Sequence, residues 1–152
     1  MKNNVLLLLF SFIVLNSWAQ NSEKIMEDRA KELHRVLGLT DKEDYKKFMR
    51  ENYTQTLLNK PVKMSKQISD SDGGNESSKS EGMDNLDAKA QMYTQLHQDF
   101  GASKLTSLNR TDNKIVMVLK NGDGLTGTFT LIFLKNKPYL IDTIGIQAEM
   151  EN

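Results

Sequence analysis

Apolar positions recur with a helical period as far as Gly101 and with a period of two beyond it. Met26, Ala30, Leu33 and Leu37 follow Ser22, a good N-cap residue, and precede Gly38, a helix stop, so they predict a first helix. Thr40-Asp41-Lys42-Glu43 reads as a capping box, in which the Thr oxygen caps a free N–H while Glu43 reaches back. The second helix that it opens carries Tyr45, Phe48, Met49 and Tyr53 on one side and Lys46, Lys47 and Arg50 on the other. Pro61 marks its latest end, because the residue before a proline is pushed out of the helical region. A third helix starts at Asp84 or Asn85, turns Leu86, Tyr93, Leu96 and Phe100 toward the core, and stops at Gly101.

The remainder predicts strands. Leu105 and Leu108 suggest a short one, and Ile115 to Leu119 forms a continuous apolar one. Asn121-Gly122-Asp123-Gly124 is a strong hairpin turn. Leu125, Phe129, Leu131 and Phe133 alternate with Thr126, Thr128, Thr130 and Ile132. Asn136-Lys137 then turns the chain into a last strand from Tyr139 to Ile146. Short turns imply an antiparallel meander. The expected class is therefore α+β, with three N-terminal helices packed on a curved meander of about four strands. Gly122, Gly124 and Gly127 read as turn glycines.

Two segments stand apart. Met1-Lys2-Asn3-Asn4 is a short positive start, Val5 to Leu15 is apolar apart from Ser11, and Ser17-Trp18-Ala19 puts small residues at −3 and −1 of a cut before Gln20. This is the layout of a secretory signal peptide over residues 1–19, and the apolar run is shorter than the roughly 20 residues that span a bilayer. The expectation is an exported protein, periplasmic or extracellular, with no stable membrane span after cleavage. Residues 65–82 contain one aliphatic side chain, Ile68, too little apolar surface to offset the entropy of ordering. They are expected to form a mobile loop inside a single domain covering residues 20–152. Their aspartates do not follow the full twelve-residue calcium-loop pattern.

Charge and composition exclude several classes. The 20 Lys and Arg balance the 20 Asp and Glu, which argues against nucleic acid, a partner that demands surplus cations. The absence of cysteine removes disulfides, thiolate metal sites and a lipid attachment point, and a count of two histidines argues against a multi-histidine metal site. No metal and no cofactor are expected. The chain holds no glycine-rich phosphate loop, no G-x-S-x-G and no H-E-x-x-H. Three N-x-S/T triplets, at Asn52, Asn75 and Asn109, are close to the number chance supplies.

Three residues carry candidate chemistry. Tyr93 and His97, four apart, share a helix face and could act as acid and base at a pocket wall. The plainer reading places His97 at the helix edge with its ring half covered. His34, beside the first helix's apolar stripe, reads as surface. Asp142 alternates with Leu140, Ile144 and Ile146. If that face looks inward, desolvation raises its pKa and suits it to proton transfer. The other reading is a solvated face, or a bond to a neighbouring strand's polar group.

The order of elements, with Leu96-His97-Gln98-Asp99-Phe100-Gly101 closing the third helix and Pro138-Tyr139-Leu140-Ile141-Asp142-Thr143-Ile144-Gly145-Ile146 closing the meander, resembles the nuclear transport factor 2-like superfamily. The likeness is to its small exported bacterial domains and spans about residues 22 to 148. It implies a curved sheet around helices, forming a cone with a pocket. Enzymes of that superfamily, such as ketosteroid isomerases and polyketide cyclases, place acid–base residues there, and this chain does not match their full catalytic sets. The first expectation is a non-enzymatic accessory or binding domain for a small apolar ligand or a secreted partner's segment. The second is a pocket enzyme of isomerase or cyclase type using Asp142 with Tyr93 or His97. The third is an inhibitor or interaction module using the exposed sheet face, through which the resemblance also implies a homodimer.

Overall fold

A computed structural model describes residues 21–62 and 85–150. The predicted signal peptide and the predicted mobile loop at 65–82 lie outside the described residues. Helix α1 covers 21–37, followed by α2 Lys42–Asn52, α3 Gln55–Asn59 and α4 Asn85–Phe100. Four strands complete the chain: β1 Lys104–Thr111, β2 Lys114–Lys120, β3 Leu125–Phe133 and β4 Ile141–Met150. They form one antiparallel sheet in the order β1-β2-β3-β4. The protein is α+β, helices first.

Several local signals resolve differently from the sequence reading. Helix α1 is already running at residue 21, so Ser22 lies within it. Asp41, not Thr40, is the N-cap of α2, and its carboxylate accepts the Glu43 N–H at 2.9 Å, where negative charge also suits the helix dipole. The second predicted helix is two. At Tyr53 the backbone turns extended (φ −100°, ψ 148°), Tyr53 bridges Ile141, and the Thr54 N–H donates to the Ile141 carbonyl at 2.9 Å. The Thr54 hydroxyl then caps α3 by accepting the Leu57 N–H at 3.1 Å. Contact with the sheet thus interrupts what periodicity alone would continue.

The core lies between the helices and one sheet face. Met26, Ala30, Leu33, Val36 and Leu37 of α1, Tyr45, Phe48 and Met49 of α2, and Ala90, Tyr93 and Phe100 of α4 are buried against Ile115, Met117, Leu119, Phe129, Leu131 and Phe133. On the opposite face Val116, Val118, Thr126, Thr128 and Thr130 are only half-buried. Strand β2 therefore alternates, although its sequence is continuously apolar.

Gly127 is not a turn residue. It is buried in β3, where a Cβ would sit 2.5 Å from Phe100 Cζ. The missing side chain lets the Phe100 ring press on the sheet and meet Phe129 edge-to-face at 5.4 Å. The last strand starts at Ile141, after a turn in which the Leu134 N–H donates to the Leu140 carbonyl at 2.9 Å. Its register shifts once: Ile132 pairs with Thr143 and Phe133 with Ile141. Asp142 is the extra residue of this bulge, so the alternation expected through Leu140, Asp142 and Ile144 does not hold, and Ile141 and Ile144 both pack on the core.

Candidate functional site

Each residue singled out for chemistry has its own hydrogen-bond partner within the fold. Tyr93 is wholly buried on α4 among Tyr45 and Phe48, with ring centroids 5.4 and 6.3 Å away. Its hydroxyl hydrogen-bonds that of Tyr53, also buried. Burial pushes the Tyr93 pKa well above the ordinary phenol value, and the neighbouring Tyr53 adds to the rise. Burial likewise raises Tyr53, with the bond to Tyr93 opposing in part. The pair braces the core.

One turn further along α4, His97 bonds through Nδ1 to the Leu37 carbonyl at 2.8 Å. A carbonyl only accepts, so Nδ1 carries the proton in this contact. It joins the end of α4 to the end of α1, the half-covered helix-edge placement. His34 is half-buried as well, with Nε2 donating to the Ser103 carbonyl at 3.0 Å. Asp142, at its bulge, accepts the Thr54 hydroxyl at 2.9 Å and is half-buried. Tyr93 and Asp142 therefore hold consecutive residues, Tyr53 inside the core and Thr54 at the sheet margin, while His97 holds α1.

A cleft of about 360 Å³ lies elsewhere, where the start of α1 meets the β1–β2 turn and the β3–β4 loop. Met26, Leu134 and Tyr139 supply apolar walls, Arg110 and Lys135 cations, and Asp112 an acid. Asp112 adopts a left-handed backbone (φ 50°), which Asp tolerates in a tight turn. The next residue, Asn113, accepts the Phe133 N–H at 2.8 Å and donates its amide to the Phe133 carbonyl at 2.6 Å. These bonds clamp the β1–β2 turn to the end of β3.

Tyr139 also has a left-handed backbone (φ 53°), a conformation costing of order 1–3 kcal/mol for a non-glycine residue. Its N–H donates to the Asn136 carbonyl at 2.9 Å. Beside it, Arg29 donates to the Pro138 carbonyl at 3.0 Å, to the Glu51 carbonyl at 3.2 Å and to Asn52 Oδ1, tying the loop to the end of α2. Burial lowers the Arg29 pKa. Asn52 itself is buried and donates to the Phe48 carbonyl at 2.8 Å, which closes the first N-x-T triplet to modification in the folded protein.

Arg110 takes an inward position of β1, opposite Ile115, and its guanidinium meets the Glu23 carboxylate at 2.7 Å. Together the lining can hold a ligand with an apolar body against Met26, Leu134 and Tyr139 and an acidic end toward Lys135, with Arg110 held by Glu23 behind it. Sequence reasoning named none of these residues as a site. The available signal was Arg110, two positions beyond Leu108 and charged where the strand's inward parity is apolar. Among the described residues no cluster of His, Asp and Glu is arranged to hold a metal, and no helix is long and apolar enough to cross a membrane.

No family model, no curated protein and no solved structure matches the chain. The resemblance to the nuclear transport factor 2-like superfamily rests on the quoted residues alone.

Proposed function

We propose that the protein is an exported, non-enzymatic binding domain. It takes a small ligand, or a short segment of a secreted partner, with an apolar body and an acidic end. The observation that carries this reading is the rim cleft, where Lys135 and the Glu23-paired Arg110 stand beside the apolar walls of Met26, Leu134 and Tyr139, and Tyr139 holds a strained backbone. Backbone strain kept at a cleft is a feature of ligand sites more than of plain turns. The engagement of Tyr93, His97 and Asp142 with Tyr53, Leu37 and Thr54 supports the same reading, because each side chain has a structural partner.

Mass spectrometry of material released from the purified protein by denaturation tests it. A retained compound with an acidic group is expected, and it should be depleted from Lys135→Glu prepared in parallel, with folding unchanged because Lys135 is exposed. Equal recovery from both proteins, or none from either, refutes the cleft as the binding site. Export is part of the proposal, and N-terminal sequencing of secreted protein should begin at Gln20. Retention of Met1 refutes that cut.

A further inference from the structure

The sheet has two edge strands, β1 and β4, and they are built differently. Strand β1 carries devices that discourage pairing. Its register shifts beside Thr106, whose hydroxyl is turned to the Val118 carbonyl at 3.1 Å. Lys104 stands opposite Lys120, and Arg110 is charged at an inward position. Strand β4 has none of these beyond its first residues. From Thr143 to Met150 its register with β3 is unbroken, and Thr143-Ile144-Gly145-Ile146-Gln147-Ala148 is six uncharged residues in succession without proline. Among the described residues the only backbone that joins its outer edge is Tyr53 and Thr54, at Ile141. Ile144 and Ile146 are partly buried on the core side, and Met150 is 60 % exposed.

We infer that the outer edge of β4 is an interface for a second copy of this chain, paired antiparallel about a two-fold axis through Ile146. The register follows from the strand itself. Directly opposed residues of an antiparallel pair face the same side, so the axis must pass through a residue, and among the described residues the stretch of β4 without an outer partner, Asp142 to Met150, is centred on Ile146. This register sets Ile146 against itself, Ile144 against Ala148, Gly145 against Gln147 and Thr143 against Glu149. On the core side Ile144, Ile146 and Ala148 meet one another, Met150 falls opposite Asp142 at the bulge, and no like charges oppose one another. The two sheets become one of eight strands, with the inner apolar layer continuous across the axis, and an isologous contact of this kind closes after two copies. It is an edge contact, distinct from packing through the Thr- and Val-rich outer face.

The absence of cysteine makes a direct test available. Single-cysteine variants Ile146→Cys, Asn109→Cys and Thr128→Cys place one thiol at the axis, on β1 and on the outer face. Across the axis the Cα atoms would be about 4.5–5.5 Å apart, inside the roughly 4.4–6.8 Å that a disulfide spans. The expected result is a parent protein of twice the chain mass by light scattering, and a disulfide dimer from Ile146→Cys far exceeding that from the other two. Ala148→Glu, at an exposed position, should give a folded monomer, because the carboxylate would be buried against the partner's Ile144. Amide exchange gives a readout that needs no variant: Thr143 to Glu149 should gain protection as protein concentration rises, while β1 does not. A monomeric parent at millimolar concentration overturns the inference. So does a dimer that cross-links through Asn109→Cys or Thr128→Cys, or one in which β4 exchange is independent of concentration.

Discussion

Asp142 separates a structural carboxylate from a site carboxylate, and the structure sets the size of the effect. Its Oδ1 accepts the hydroxyl of Thr54 at 2.9 Å. Thr54 is only 7 % exposed, so few other acceptors can reach that hydroxyl once Asp142 is gone. The same oxygen also caps α3, accepting the Leu57 N–H at 3.1 Å. Asp142→Ala removes one partner and strands the other, a loss of about 1–3 kcal/mol for a buried donor bonded to a charged acceptor. Asp142 is itself half in solvent, which screens part of that gain, so the lower half of the range, about 1–2 kcal/mol, is expected. Asp142→Asn keeps an oxygen in place but loses the charge assistance, and should lose about half as much.

Urea unfolding followed by circular dichroism measures these differences, with thermal melts moving by about 3–5 °C per kcal/mol for a domain of this size. Thr54→Val loses the cap as well, so the double variant Thr54→Val/Asp142→Ala isolates the pair. A coupling of about 1 kcal/mol is expected between groups in direct contact. The reasoning fails if Asp142→Asn matches or exceeds the parent in stability, or if the coupling is zero. Either result would mean that the fold gains nothing from the carboxylate. Asp142 would then be restored as a candidate for chemistry.

Other substitutions probe the core and its response to pH. Gly127→Ala should destabilise by about 1–3 kcal/mol through overpacking, since its Cβ would fall 2.5 Å from Phe100 Cζ; a neutral result in urea would show that the ring relaxes. Tyr53→Phe and Tyr93→Phe should each cost about 1–2 kcal/mol by orphaning a buried hydroxyl, and the double variant should cost less than their sum; strict additivity would refute the bond. Both tyrosines have pKa values raised in the folded state by burial, so the unfolded chain releases these protons first. Their contribution to stability is present in full below the unfolded value near 10 and falls as pH rises above it. Alkaline melts should steepen relative to the Tyr53→Phe/Tyr93→Phe variant, and parallel curves would refute the linkage.

What the sequence made legible was decided locally. In the Asn121-Gly122-Asp123-Gly124 turn the Asn121 carboxamide accepts the N–H groups of Asp123 and Leu125, both at 2.9 Å, and residues two to four apart suffice to specify that. The α4 stripe and the alternation of β3 follow from their own periods in the same way. The break at Tyr53 was hidden because its cause, Ile141, lies far along the chain. Gly127 was misread for the same reason: the ring that it admits comes from α4. The cleft is assembled from three separate segments, so no spacing within any of them announces it.

The polar residues have a more general explanation. Every α-helix ends with carbonyls that no intrahelical N–H reaches, and they carry partial negative charge. Here His97 donates to Leu37 at the end of α1, Arg29 to Glu51 at the end of α2, and Lys89 to Leu58 and Lys60 at the end of α3. His34 donates to Ser103 just beyond α4. The C-termini of α1, α2 and α3 are thus each met by a long cationic or imidazole side chain from another segment, while His34 reaches a loop carbonyl three residues past α4. Residue type at these positions answers to the helix ends, and a sequence shows the donor without its acceptor. A histidine on a helix edge therefore looks equally suited to proton transfer and to joining two helices, until the carbonyl that it meets is known.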